Sequence, residues 1–320
     1  MSGKLRIYGT GGTGINIAGH FDGTTAEPNC AQIETCYIDT SRSNLKEHYG
    51  EDNIFLLEDV DGSGKIRKEN HREISNSIKQ MVLEFKPEDL NVVVFSASGG
   101  SGSVIGPLII AELLEKKETV IALVVGSDES IITTNNTLNT FKSLEAIAKK
   151  QQAPVTMFYE QNRGKRGDVD DRMRLAISAL TILGSGKNEE LDSKDIFNWA
   201  YFNKSTTVEP CLALLEIFDS SEEAGKIEDP ISIASIYTDT NSAPLNIVPE
   251  YHAAGYLAKG SDTLGSVNEL HFIITIDAIG NIIKSVKSTL EDQEMKRESR
   301  VRQESFLSDS DVISDDGLVL

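Results

Sequence analysis

Short apolar runs alternate with amphipathic stretches through the first half of the chain. Continuous runs at 5–8, 33–38, 92–96, 120–125 and 155–159 predict strands. Helical spacing of apolar positions near 13–21, 71–85, 102–116, 134–150 and 169–183 predicts the helices between and after them. Such alternation predicts βαβ units and a parallel sheet. The strand runs lack polar alternation, so both faces of that sheet should be covered. The last helix puts Met173, Ile177 and Leu180 on one stripe and stops at Gly184. Beyond it, strands at 211–218, 231–237 and 270–276 recur without regular intervening helices, which predicts a smaller α+β unit over 195–277. A helix dense in both charge signs follows over 278–307. The segment 308–320 carries Asp309, Asp311, Asp315 and Asp316 and no base, and reads as disordered in isolation.

The formal net charge of -19 over 320 residues argues against nucleic acid as a direct partner, because phosphate backbones recruit basic surfaces. It also implies self-repulsion, so any assembly should respond to salt. Cys30, Cys36 and Cys211 are widely spaced with no CxxC pair, which predicts reduced thiols and a cytoplasmic setting. The five histidines are scattered, and no protein-held metal centre is expected. No apolar run of about 20 residues is present, so no membrane span is expected.

Two glycine loops carry the candidate chemistry. Gly9-Thr10-Gly11-Gly12-Thr13-Gly14 fits GxGxxG between a strand and a helix, and Asp39 ends the second strand, where a dinucleotide enzyme would hold its ribose. The physics is general: glycines admit a phosphate to the backbone, and a helix N-terminus offers free N–H groups. An NAD-dependent dehydrogenase therefore stays open on this loop alone. The second loop, Ser96 to Ser103, lies between a buried strand and an amphipathic helix. Its small residues can expose N–H groups as a nest, and its serines add hydroxyl donors. Two such loops point to a polyphosphate held from both sides.

The segment Ser98-Gly99-Gly100-Ser101-Gly102-Ser103-Val104 resembles the signature of the tubulin/FtsZ superfamily, with Ser101 where threonine is usual and Val104 where glycine is usual. Gly11-Gly12-Thr13-Gly14-Ile15-Asn16 resembles the GGxGxN loop of FtsZ. The resemblance implies a Rossmann-like GTPase domain over 1–168, a central helix and catalytic loop over 169–194, the second α+β domain, and the C-terminal helix with its acidic tail. It implies GTP/GDP with Mg2+ as cofactors. Phosphate contacts would come from Gly11, Gly12, Thr13, Ser98, Gly99, Gly100, Ser101, Gly102 and Ser103. Asp39, Thr40 and Gly64 of Asp61-Gly62-Ser63-Gly64-Lys65 would adjoin them. Asn16 and Asn162 would contact guanine, together with one of Asp168, Asp170 and Asp171, of which Asp170 is taken.

Glu190-Leu191-Asp192-Ser193-Lys194-Asp195-Ile196 resembles the family's catalytic loop, which enters the nucleotide site of the next subunit. Asp192 and Asp195 would then position water against the γ-phosphate. The competing reading has Asp192 cap a turn and Asp195 cap the helix that follows. The long terminal helix and acidic tail are most similar to the PhuZ branch, tubulins encoded by large Pseudomonas phages. That branch implies a head-to-tail filament in the host bacterial cytoplasm, a tail docked on the neighbouring subunit, and a phage nucleus or capsid as cargo. The plasmid-partitioning TubZ branch is the nearest alternative. Lys65, Arg67, Lys68 and Arg72 form the densest basic cluster near the loops and are taken as part of the tail's receptor.

Overall fold

The computed structural model describes residues 3–301 except 26, 58, 59, 241, 243, 244, 259–262, 265 and 266. Residues 302–320, with the expected acidic tail and the end of the expected last helix, lie outside the described residues.

The expected parallel sheet is present. Strands β1 (Lys4–Thr10), β2 (Gln32–Asp39), β3 (Ile54–Leu56), β4 (Leu90–Ser96), β5 (Val120–Ser127) and β6 (Val155–Asn162) pair in parallel in the order β3-β2-β1-β4-β5-β6. Every residue of β5 is buried, as a strand covered on both faces requires. Helices α1 (Gly11–Ala18), α2 (His71–Glu84), α3 (Gly102–Glu115) and α4 (Ile131–Gln151) make the crossovers. A capping box between Ser130 and Thr133 starts α4 and satisfies N–H groups its first turn leaves free.

The central helix α5 (Arg166–Leu183) packs on β6 and beside α1. Val169, Met173, Ala176, Ile177 and Leu180 form its buried stripe. Its 18 residues span about 27 Å at 1.5 Å per residue. The N–H of Gly3, ahead of β1, donates to the carbonyl of Ser185, just past α5. The end of α5 is thus moored at the N-terminal edge of the parallel strands.

The sheet continues without a break. β7 (Leu212–Phe218) pairs in parallel with β6 through three register pairs and antiparallel with β10 (Glu269–Thr275). β8 (Ser232–Tyr237) and β9 (Tyr251–Tyr256) complete a ten-stranded sheet at the other side of β10. Helix α6 (Ser193–Ala200) covers this half: buried Trp199 donates its indole N–H to the carbonyl of Phe272 at 3.0 Å. The short α7 (Ser221–Ala224) lies near β7 and β10. Beyond the three strands expected here, β9 and the four-residue α7 between β7 and β8 are additions, and α6 is the helix that the capping reading put after Asp195. The last helix, α8 (Asp277–Val301), lies against α4. Among the described residues, no helix is long and apolar enough to cross a membrane.

Candidate functional site

A cleft of about 710 Å³ opens where β1, β2, β4, β5 and β6 end. Strand ends at a topological switch point are where open α/β sheets take ligands. Both glycine loops line it, and they touch. Gly11 has φ +64°, and a Cβ there would come within 2.8 Å of the backbone of Gly102. Only glycine permits both that conformation and that approach. The N-termini of α1 and α3 are thereby held side by side at the cleft floor. Their free N–H groups and positive dipole ends suit an anion.

Of the residues expected at the ligand, Gly11, Gly12, Thr13, Asn16, Asp39, Gly64, Ser98, Gly99, Gly100, Ser101, Gly102, Asn162 and Asp170 line the cleft. Thr40 and Ser103 do not. The Ser103 hydroxyl donates back to the carbonyls of Gly99 and Gly100, shaping the loop from behind. The hydroxyls of Thr40 and Ser101 are 2.5 Å apart, and those of Ser63 and Ser101 are 2.9 Å apart. Three loops therefore meet on the Ser101 oxygen. Asn136 of α4 adds a tie, its amide nitrogen lying 2.8 Å from the Lys65 carbonyl and 3.1 Å from that of Ser98.

Asp39 is 3% exposed. One carboxylate oxygen accepts from the Asn44 amide at 2.8 Å and the other from the Thr40 N–H at 2.7 Å. Burial pushes its carboxyl above the ordinary aspartate value, against the pull of those bonds. At the other end of the cleft, Asp170 accepts from the Asn16 amide at 2.8 Å. Burial also raises the Asp170 carboxyl, partly offset by Arg174 and the Asn16 bond. Of the three candidate aspartates, Asp170 lines the cleft; Asp168 and Asp171 do not. Only residues 163–165 separate β6 from α5, so no further helix precedes the central one.

Sequence reasoning missed several lining residues. Ser127 enters from the end of β5, Glu129 from the β5–α4 turn, Thr133 from the first turn of α4, Asn44 from beyond β2, and Arg166 from the first residue of α5. The Ser130-x-x-Thr133 capping pattern was the one available signal. Lys65 lines the cleft, as the basic cluster's position suggested. Arg67 does not join an exposed basic receptor. Its guanidinium turns inward to the Asn136 carbonyl at 3.2 Å, the Thr140 hydroxyl and the Ser143 hydroxyl at 3.1 Å. Burial lowers its pKa from the ordinary arginine value.

Asp192 and Asp195 lie together beyond the far end of α5. They form the capping box of α6: Asp192 accepts from the N–H groups of Lys194 and Asp195, at 2.7 and 3.0 Å, and Asp195 accepts from the Asp192 N–H at 3.1 Å. Tyr251 donates its hydroxyl to the remaining Asp195 oxygen at 3.2 Å. Asp192 is nonetheless exposed to solvent. With Asp170 on the first turns of α5 and Asp192 past its end, one subunit cannot bring this pair to its own cleft.

Residues 191–280 match the family described as phage tubulin-like protein, C-terminal domain. A phage tubulin-like protein of Pseudomonas phage phiKZ is 31% identical over 330 residues, spanning 99% of this chain and 98% of the relative. The protofilament structure of TubZ from bacteriophage PhiKZ is similar with a TM-score of 0.86 at 31% identity, over 99% of each chain. A structure of the phage tubulin PhuZ with GDP is similar with a TM-score of 0.88 at 25% identity, again over 99% of each chain.

Proposed function

Because the chain belongs to the phage tubulin-like proteins, we propose that it binds GTP and GDP in the cleft and polymerises head to tail into dynamic filaments, hydrolysing GTP where two subunits meet. The observation that carries this is the separation of the two halves of the chemistry. The cleft lies at the C-terminal ends of the parallel strands, and the exposed Asp192 lies beyond the other end of an α5 about 27 Å long. A neighbour stacked on the cleft supplies what the subunit itself cannot.

In this reading the α and β phosphates sit on the N–H groups of the touching glycine loops, and the γ-phosphate end meets Gly64 and Lys65. The base lies between Asn16, Asn162 and Asp170. Guanine suits a carboxylate there, since its N1–H and 2-amino group donate where adenine N1 accepts. Phosphoryl transfer needs positioning and charge stabilisation more than covalent help. Asp192 of the incoming subunit, with Asp195 behind it, would orient the attacking water. Among the described residues, no three His, Cys, Asp or Glu side chains form a metal cage. That fits Mg2+, which is held largely by phosphate oxygens and water with one or two carboxylates. The ion would supply charge neutralisation at the phosphates, with Asp61 the nearby acid lining the cleft. The filament would work in the cytoplasm of the infected bacterium and position phage DNA, a phage nucleus or capsids. A TubZ-like partitioning role differs in cargo rather than in polymer. A dehydrogenase finds little support, because the relative that shows the family is a phage tubulin-like protein matched over 99% of this chain.

The test is GTP turnover against protein concentration, with pelleting, for wild type and Asp192→Asn. Asparagine caps a helix about as well as aspartate, so this change removes the charge and keeps the fold of α6. Turnover should rise more steeply than concentration, and the variant should pellet while hydrolysing little. Turnover strictly proportional to concentration, or an unimpaired variant, rejects the shared site.

A further inference from the structure

Helix α8 has a buried stripe of Ile279 and Val286, seven residues apart. The next position at that interval is Gln293, which is half-buried. An apolar residue would have continued the packing at less desolvation cost. The amide instead reaches the β5–α4 turn. Its nitrogen donates to the main-chain carbonyl of Asp128 at 2.7 Å, and its oxygen lies 3.0 Å from the fully buried Thr134 hydroxyl, which it shares with the Ser130 carbonyl. The opposite orientation of the amide would set oxygen against the Asp128 carbonyl, so the network fixes it. Asp128 stands between Ser127 and Glu129, both of which line the cleft.

A second tie joins the same two elements. Arg163, in the β6–α5 connection, donates to the Ser285 hydroxyl of α8 at 3.0 Å and to the Asp128 carboxylate at 3.4 Å. Arg166, which lines the cleft, meets Glu129 at 3.3 Å. The turn of residues 127–130 is therefore suspended between α8 on one side and the start of α5 on the other.

We infer that Gln293 is a positioning residue for nucleotide binding, which makes α8 a working part of the cleft wall rather than an appendage to the fold. The inference rests on the cleft being the guanine-nucleotide site. If α8 holds the turn that the nucleotide needs, bound nucleotide must in return hold α8, because coupling between two equilibria is reciprocal. The helix that leads into the acidic tail is thereby linked to cleft occupancy.

The experiment uses the full chain, below the concentration at which it pellets, with a fluorescent N-methylanthraniloyl derivative of GDP. Gln293→Leu extends the apolar stripe and keeps α8 docked while removing the amide. Its dissociation constant for the probe should rise about fivefold or more, within the usual range of such couplings. Gln293→Glu keeps an acceptor for Thr134 but sets a carboxylate against the Asp128 carbonyl, and should weaken binding at least as much. Hydrogen exchange gives the converse readout: GDP should slow exchange over residues 286–293 in the wild type and not in Gln293→Leu. Probe affinity of Gln293→Leu within twofold of wild type overturns the inference. So does weakened binding accompanied by fast exchange throughout α8 without nucleotide, since lost docking then explains it. A wild type that binds no GDP overturns the functional reading and this inference with it.

Discussion

The side-chain amide of Asn16 donates to the carboxylate of Asp170 at 2.8 Å, tying α1 to α5 across 154 positions of sequence. Both residues line the same end of the cleft, and the bond orients the Asp170 carboxylate before any ligand arrives. The proposed recognition of guanine rests on that carboxylate being an acceptor only. Asp170→Asn turns one oxygen into a donor. GTP affinity should fall about 10–100-fold, the worth of a hydrogen bond to a charged group. Xanthosine triphosphate carries a carbonyl where guanine has its amino group, so it should gain on GTP in the same variant. Competition between the two nucleotides for one fluorescent probe measures the exchange of preference. An unchanged ratio would remove Asp170 from base recognition.

Ser101 is the oxygen on which the loops carrying Thr40 and Ser63 converge. Ser101→Ala leaves two buried hydroxyls without that partner. A loss of about 1–3 kcal/mol is expected for such orphaned groups. Urea unfolding of nucleotide-free protein gives the number directly. Because Ser101 also lines the cleft, GDP affinity should drop in parallel.

His271 is fully buried on β10. Its ring nitrogens meet the hydroxyls of Ser235, at 2.9 Å, and Ser221, at 3.1 Å. Glu269 lies 3.5 Å away, the Tyr237 ring stands edge-on, and His252 contacts Ser235 from the far side. Burial lowers the pKa of His271 below the ordinary histidine value, Glu269 only partly opposing it, and burial lowers His252 as well. The unfolded chain therefore binds protons that the folded chain refuses. Stability from this pair is complete above about pH 6.5 and is lost as pH falls from there toward the folded-state values. Melting at about pH 7.5 and about pH 5.5 should show wild type losing more than His271→Gln, although the variant starts lower. Equal losses would place the acid sensitivity elsewhere.

The acidic segment 308–320 lies outside the described residues, so its role is a matter for assay. Its proposed receptor now excludes Arg67, whose guanidinium is turned into the protein. Deleting 308–320 should raise the concentration needed for pelleting, and charge reversal at Lys68 and Arg72 should do the same in the intact chain. Unchanged assembly in both would discard the docking idea.

The parts of this fold that sequence revealed are those whose cause is local. The glycine loops announce themselves as runs of small residues between an apolar strand and a helix, whereas the packing of Gly11 on Gly102 that joins them is seen only in the fold. The apolar runs of β4 and β5 announce burial on two faces. β9 did not, because YHAAGY offers small residues and a histidine; its pairing along β8 holds it. α6 was foreseen only in the alternative to the catalytic resemblance, and Asp192, read there as capping a turn, is its N-cap. The two readings need not compete, since the Asp192 side chain that caps is also exposed. Thr133 offered only its capping pattern with Ser130, and nothing in the neighbourhoods of Asn44 and Arg166 distinguishes them from ordinary surface residues. The role of Gln293 could not be seen until α8 was placed against α4.

The length of α5 sets an arithmetic for the proposed polymer. Each complete site needs one subunit's cleft and another's Asp192, so a row of subunits always has one fewer working site than it has members. The odd one out is the terminal subunit whose cleft faces solvent. It keeps its nucleotide intact until the next arrival, and so the two tips of the same filament carry different chemical histories.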